Sequence, residues 1–282
     1  MTAALTGGLL LALASAAALN WGYFVQHGVA SALPPLTVRR PLASLRLLFG
    51  NLRWVAGFVV GIGGWVLYVA ALALAPLSLV QAASAGGIGL LALLASRHAR
   101  LTGWERCGVS VAVGGLVLLG VSLAGRTTTA TAGHWEDVAV WIVVSASVAG
   151  LAAGYRTAAG LGVAAGVLYA AGDVATKAAV HGGGRLGFVP VLLACHGLAF
   201  VALQLGFQRG GVLATAGLAT LLTNALPIAA GTTLFGEGLG SLPAVRLLAF
   251  ACTVAGAALL SRPTPPEPAV ALPPAVRPIP FD

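Results

Sequence analysis

The sequence predicts an all-α integral membrane protein of about nine transmembrane helices, in two inverted four-helix repeats joined by a central helix. Three observations carry that prediction. Of the 282 residues 59% are hydrophobic and only 8% charged, with a mean hydropathy of +0.97, whereas soluble domains carry roughly 25% charge. The apolar residues fall into nine runs, each of about 20 residues, the length that crosses a bilayer core as a helix with its backbone groups bonded internally. The basic residues are also one-sided. With the N-terminus outside, Arg39, Arg40, Arg46, Arg53, Arg97, Arg100, Arg106, Arg156, Arg209, Arg262 and Arg277 fall on the inner side, and only Arg126, Lys177, Arg185 and Arg246 do not. Such an excess in short loops places the N-terminus outside and the C-terminus in the cytoplasm of a cell-membrane protein. The net charge of +8 therefore reports topology, and nucleic acid is not expected as a partner.

The runs are 4–30, 52–74, 76–96, 104–124, 136–155, 159–180, 187–207, 211–233 and 243–261. In the first, Ala14-Ser15-Ala16 imitates a leader cleavage site, but no basic segment precedes it and the run continues to Ala30, so it reads as a mature helix. Segment 34–54 mixes arginines with leucines and reads equally as a short amphipathic helix on the inner interface or as an irregular basic loop. Gly57-x3-Gly61 and Gly86, Gly87 and Gly89 let helix backbones approach closely. Residues 126–133 read as a flexible outer loop, after which Glu136 and Asp137 open the fifth run, where carboxylates favour the positive helix end. Trp54, Trp104 and Trp135 sit at run ends, the headgroup position such rings prefer. Cys107, Cys195 and Cys252 lack metal or disulfide spacing. Residues 1–261 form one membrane domain, with the first repeat at 4–124, the linker helix at 136–155 and the second repeat at 159–261. Residues 262–282 hold eight of the 15 prolines and read as a disordered cytoplasmic tail.

The repeat rests on a weak match of NWGYFVQHG (20–28) to AGDVATKA (171–178), pairing Gly22 with Gly172 and His27 with Lys177. Helices of the same order and similar length follow each. Five runs separate the two starts, an odd number, so the repeats have opposite orientation, a recurring basis for alternating access around a midplane site.

The block AGFVVGIGGWVLYVAALALAPLSLVQAASAGGIGLLALLAS (56–96) and the ending LFGEGLGSLPAVRLLAFACTVAGAALLS (234–261) resemble the drug/metabolite transporter superfamily in its EamA-like branch. The resemblance covers about residues 4–261 and puts Glu237 in the place of a glutamate often found before that family's last helix. The superfamily usually has ten spans. Nine spans, and the Ala75-Pro76 turn before Leu79-Val80-Gln81, look more like its NIPA-type magnesium-transporter relatives. The first repeat departs from the pattern, with Arg97, His98 and Ala99 where the glutamate would stand. The resemblance implies the fold and a transport function, and no settled substrate residues.

Asp173 is the one carboxylate well inside a run, and Lys177, the chain's only lysine, follows four residues later on the same helical face. A carboxylate at membrane depth costs about 2.5–3.5 kcal/mol on insertion scales and marks a functional hypothesis. Three readings stand side by side: a proton-coupling Asp173, a purely structural Asp173–Lys177 pair, or a Lys177 that reaches the headgroups and leaves Asp173 to a polar neighbour. Gln81, Tyr169 and Asn224 belong to the runs around the repeat interface and join Gln26 as candidates for a solute or coupling-ion pathway; each also reads as interhelical glue. Thr223, Asn224 and Pro227 would either open the eighth run or only kink it. His196 beside Cys195 has no second ligand pair and reads as a core histidine rather than a metal ligand.

No paired carboxylates, nucleophile–base set or nucleotide loop can be placed on suitable structure. The expectation is a secondary transporter of a small solute in the lipid bilayer, not an enzyme, with no cofactor and with a homodimer as one open arrangement. One alternative is a NIPA-like magnesium transporter or channel, although a lone carboxylate next to a lysine makes a poor cation cage. Another is a membrane assembly or lipid-interacting protein without transport.

Overall fold

Short links between long apolar helices force neighbours in sequence to pack antiparallel, and the fold follows. The computed structural model describes residues 3–37, 39–75, 77–84, 86–97, 101–123, 133–180, 183–236 and 243–262, among which there is no strand. The helices are α1 (Ala3–Ala30), α2 (Pro41–Phe49), α3 (Leu52–Leu74), α4 (Leu77–Ser84), α5 (Gly86–Ser96), α6 (Gly103–Leu123), α7 (Trp135–Gly154), α8 (Ala158–Val180), α9 (Phe188–Phe207), α10 (Leu218–Leu234) and α11 (Pro243–Leu260). Seven stretches are long and apolar enough to cross a bilayer: α1, α3, Leu79–Ser96, α7, α8, Gly184–Phe207 and Leu213–Leu234. The chain is an all-helical, multi-pass membrane protein. The other two expected spans also form helices. However, α6 opens with Glu105 and Arg106, and the apolar part of α11 is confined to Leu247–Leu260.

Local chemistry sets the helix ends. Asn51 caps α3, its side chain accepting from the backbone N–H groups of Arg53 and Trp54 at 3.1 Å. A capping box opens α6: the Thr102 N–H donates to Glu105 Oε2 at 2.8 Å, and the Glu105 N–H donates back to Thr102 Oγ1 at 3.3 Å. Glu136 and Asp137 occupy the first turn of α7 as expected.

The structure decides between readings that the sequence left open. The 33–51 connection contains a true helix, α2, whose Phe49 packs edge-on against Trp54 and Phe58 at 5.0 and 5.4 Å. The described parts of the third run, α4 and α5, are helical, and Leu79–Ser96 is long and apolar enough to cross a bilayer. Helix α10 continues through Pro227, and its irregularity lies earlier, where Leu213–Gly217 winds as a π-helix. Arg126, Glu237 and the Pro-rich tail lie outside the described residues.

Helix α1 packs along α3, α8 along α9, and α6 along α11, while α10 lies against both α8 and α4, and α7 against α8. Small residues permit the closest approaches. A Cβ on Gly22 would stand 2.7 Å from the Gly57 carbonyl oxygen, and one on Gly162 would stand 2.7 Å from that of Thr215. These distances give the expected glycine spacing on α3 its packing role.

Candidate functional site

A cavity of about 500 Å³ lies among α1, α3, α4, α8, α9 and α10. Leu45 and Phe49 of α2 border it at the end where α1 finishes and α3 begins. Two walls differ in chemistry. One, from α1, α4 and α10, offers uncharged groups: Ser15, Asn20, Gln26, Ser84, Thr220, Thr223 and Asn224. The other, from α3, α8 and α9, carries Tyr68, Trp65, Tyr169, Asp173 and His196.

Asp173 is buried on α8 and makes contacts across to α4 and α9. Gln81 on α4 uses its amide Nε2 to donate to the Tyr68 hydroxyl at 2.7 Å and to Asp173 Oδ2 at 3.0 Å. The other carboxylate oxygen, Oδ1, lies 3.6 Å from His196 Nε2 on α9. The imidazole is steered from its own helix, because Nδ1 sits 2.8 Å from the Leu192 carbonyl oxygen one turn earlier. Trp65 and Tyr169 flank it edge-on, with ring centroids at 5.9 and 5.7 Å.

Five of the six residues expected on the pathway meet at this cavity: Asp173, Tyr169, Gln81, Asn224 and Gln26. Lys177, one turn further along α8, is buried but does not border it. Gln26 also has the packing role foreseen for such amides. Its Oε1 accepts from Gln204 Nε2 at 2.6 Å, and Gln204 Oε1 accepts from Trp54 Nε1 at 3.1 Å, which ties α1, α9 and α3 together. Asn20 accepts from Thr220 Oγ1 at 3.1 Å and so joins α1 to α10. Sequence reasoning took His196 for a core histidine rather than a metal ligand, and in the structure it is half-buried beside the Asp173 carboxylate.

Three buried atoms bordering the cavity have no hydrogen-bond partner among the described residues: Ser15 Oγ, Trp65 Nε1 and Asn224 Oδ1. Buried polar groups are normally paired, so these three stand out among the described residues. They combine a hydroxyl, a donor and an acceptor. Among the described residues, no group of three or more His, Cys, Asp or Glu is arranged to hold a metal ion.

No family model and no solved structure matches the chain. Over 125 residues, 44% of the chain, it is 32% identical to a protein of Arabidopsis thaliana described as "Probable magnesium transporter NIPA9". The matched stretch spans 35% of that relative's length. The similarity fits a membrane transporter.

Proposed function

We propose that the chain is a secondary transporter of the drug/metabolite type, which moves a small solute by alternating access through the cavity around Asp173. One observation carries this reading: a cavity of about 500 Å³ among membrane helices holds a single buried carboxylate together with unpaired donors and acceptors. That is the composition of a pocket that recognises a small, mostly apolar molecule through a few polar points. The reading includes nine membrane helices in two inverted repeats joined by α7. It is supported by corresponding packing, since α1 lies on α3 as α8 lies on α9. It also places the N-terminus outside and the C-terminus in the cytoplasm at the cell membrane, and gives the chain no enzymatic role.

The decisive experiment is flux in proteoliposomes loaded with a pH dye and a magnesium dye, across amino acids, amines, sugars and magnesium. A solute-dependent proton signal is expected, and none for any solute would overturn the reading. Topology is tested separately by cysteine labelling at positions 97 and 126 in a chain lacking Cys107, Cys195 and Cys252. Labelling from the same side would end the inverted-repeat arrangement.

A second reading, magnesium transport, is favoured by the similarity to the Arabidopsis relative described as a probable magnesium transporter. Magnesium holds several of its waters and takes one or two carboxylates, and the cavity supplies one. Magnesium entry without a solute signal would establish this alternative.

A further inference from the structure

We propose that Asp173 and His196 form a single-proton site, in which His196 is a positioning residue that sets how Asp173 holds the coupling proton. The proposal rests on the transport reading for its use, but not for its geometry. A carbonyl oxygen can only accept, so the 2.8 Å contact to Leu192 O assigns a hydrogen to His196 Nδ1. In the neutral ring Nε2 is then a bare lone pair, and it is Nε2 that faces Asp173 Oδ1 at 3.6 Å. Without a proton between them, a lone pair and a carboxylate would confront each other in a poorly solvated place. One proton held by the pair leaves it with no net charge, the form that costs least away from water.

The ring is held there by the fold. A Cβ on Gly172 would meet the His196 imidazole, so only glycine at 172 lets the ring lie against α8 beside Asp173. Trp65 and Tyr169 hem it in from α3 and α8. The surrounding titratable groups on the other packed elements are Tyr23 of α1 and Tyr68 of α3, with Tyr169 and Lys177 on α8 and Cys195 beside His196 on α9. Helices α4 and α10 present the uncharged Gln81, Thr220, Thr223 and Asn224.

Both members of the pair border the cavity, so its proton can leave to water there. Departure leaves one negative charge, which a singly charged cationic solute neutralises. Each binding event then exchanges one proton for one monovalent cation with no change in site charge. A divalent ion would leave an excess positive charge.

The first test is nitrogen-15 NMR of histidine-labelled full-length protein in nanodiscs, with His196→Gln assigning the signal. The expected result is a neutral His196 with hydrogen on Nδ1, whose titration midpoint moves by at least about one pH unit in Asp173→Asn, the scale of a neighbouring charge. Gly172→Ala, which displaces the ring while keeping both side chains, should move the same midpoint. Hydrogen on Nε2, or a midpoint indifferent to Asp173→Asn, would overturn the proposal. In proteoliposomes, uptake driven by an imposed pH gradient should be lost in His196→Gln; wild-type pH dependence in that variant would also overturn it. If the NMR result holds while the wild type moves no solute, it is the transport reading that fails. Solute flux with the opposite tautomer fails the proton site alone.

Discussion

Helices α7 and α8 are neighbours of nearly equal length, 20 and 23 residues, and both are apolar enough to span a membrane, yet 17% of the apolar window of α7 is buried against 72% of that of α8. The difference lies in residue size. Helix α7 turns Val140, Val143, Val144 and Leu151 outward, where lipid is as good a solvent for them as protein. Helix α8 is built from alanine and glycine, packs on α7, α9 and α10, and carries Asp173. In a bilayer, hydrophobicity alone does not drive burial; small side chains and polar contacts do. Helix α8 is therefore buried enough to hold a carboxylate away from lipid.

Four substitutions sharpen or break this contrast. The largest effect is expected from Asp173→Asn, which should lower solute-coupled proton movement by at least about 100-fold, equivalent to ~2.7 kcal/mol, while the protein stays folded by gel filtration. Normal coupling in a folded variant would remove α8 from the mechanism. Next, Gly162→Val should push α8 off the π-helical segment. Its Cβ would lie 2.7 Å from the Thr215 carbonyl and 2.8 Å from that of Ala214, and overpacking of this kind costs about 1–3 kcal/mol, read as thermal unfolding in detergent. Gln204→Leu should come third, at about 1–3 kcal/mol, because it strands both Trp54 Nε1 and Gln26 Oε1. The smallest change is expected from Leu151→Ala on α7, within about 0.5 kcal/mol. A loss as large as that for Gly162→Val would show that another surface covers the α7 face.

Much of this was legible in the sequence because membrane helices advertise themselves through length and hydropathy. The amphipathic α2 was visible as one of two readings of 34–54, and five residues that border the cavity were picked out by asking which polar groups sit inside apolar runs. The contact of His196 with Asp173 was not foreseen, because the two lie 23 positions apart on different helices and hydropathy carries no pairing information. A usable signal did exist. Val180 and Phe188 bound a short link centred at residue 184, and Asp173 and His196 stand eleven residues before it and twelve after. In an antiparallel hairpin that register puts them opposite each other. Of the two readings around Pro227, an opening or only a kink, the opening did not appear, since a missing N–H need not break a helix whose neighbouring turns stay bonded.

The π-helical segment Leu213–Gly217 amounts to a one-residue insertion written into space. An α-helix turns about 100° per residue, and a π-bulge absorbs one extra residue without ending the helix. Everything downstream is thereby re-aimed. Thr220 arrives at the angle from which it donates to Asn20, and Asn224 reaches the cavity wall. Deleting a single residue from 213–217 would rotate that whole polar face away from α1 without altering any of the side chains that compose it.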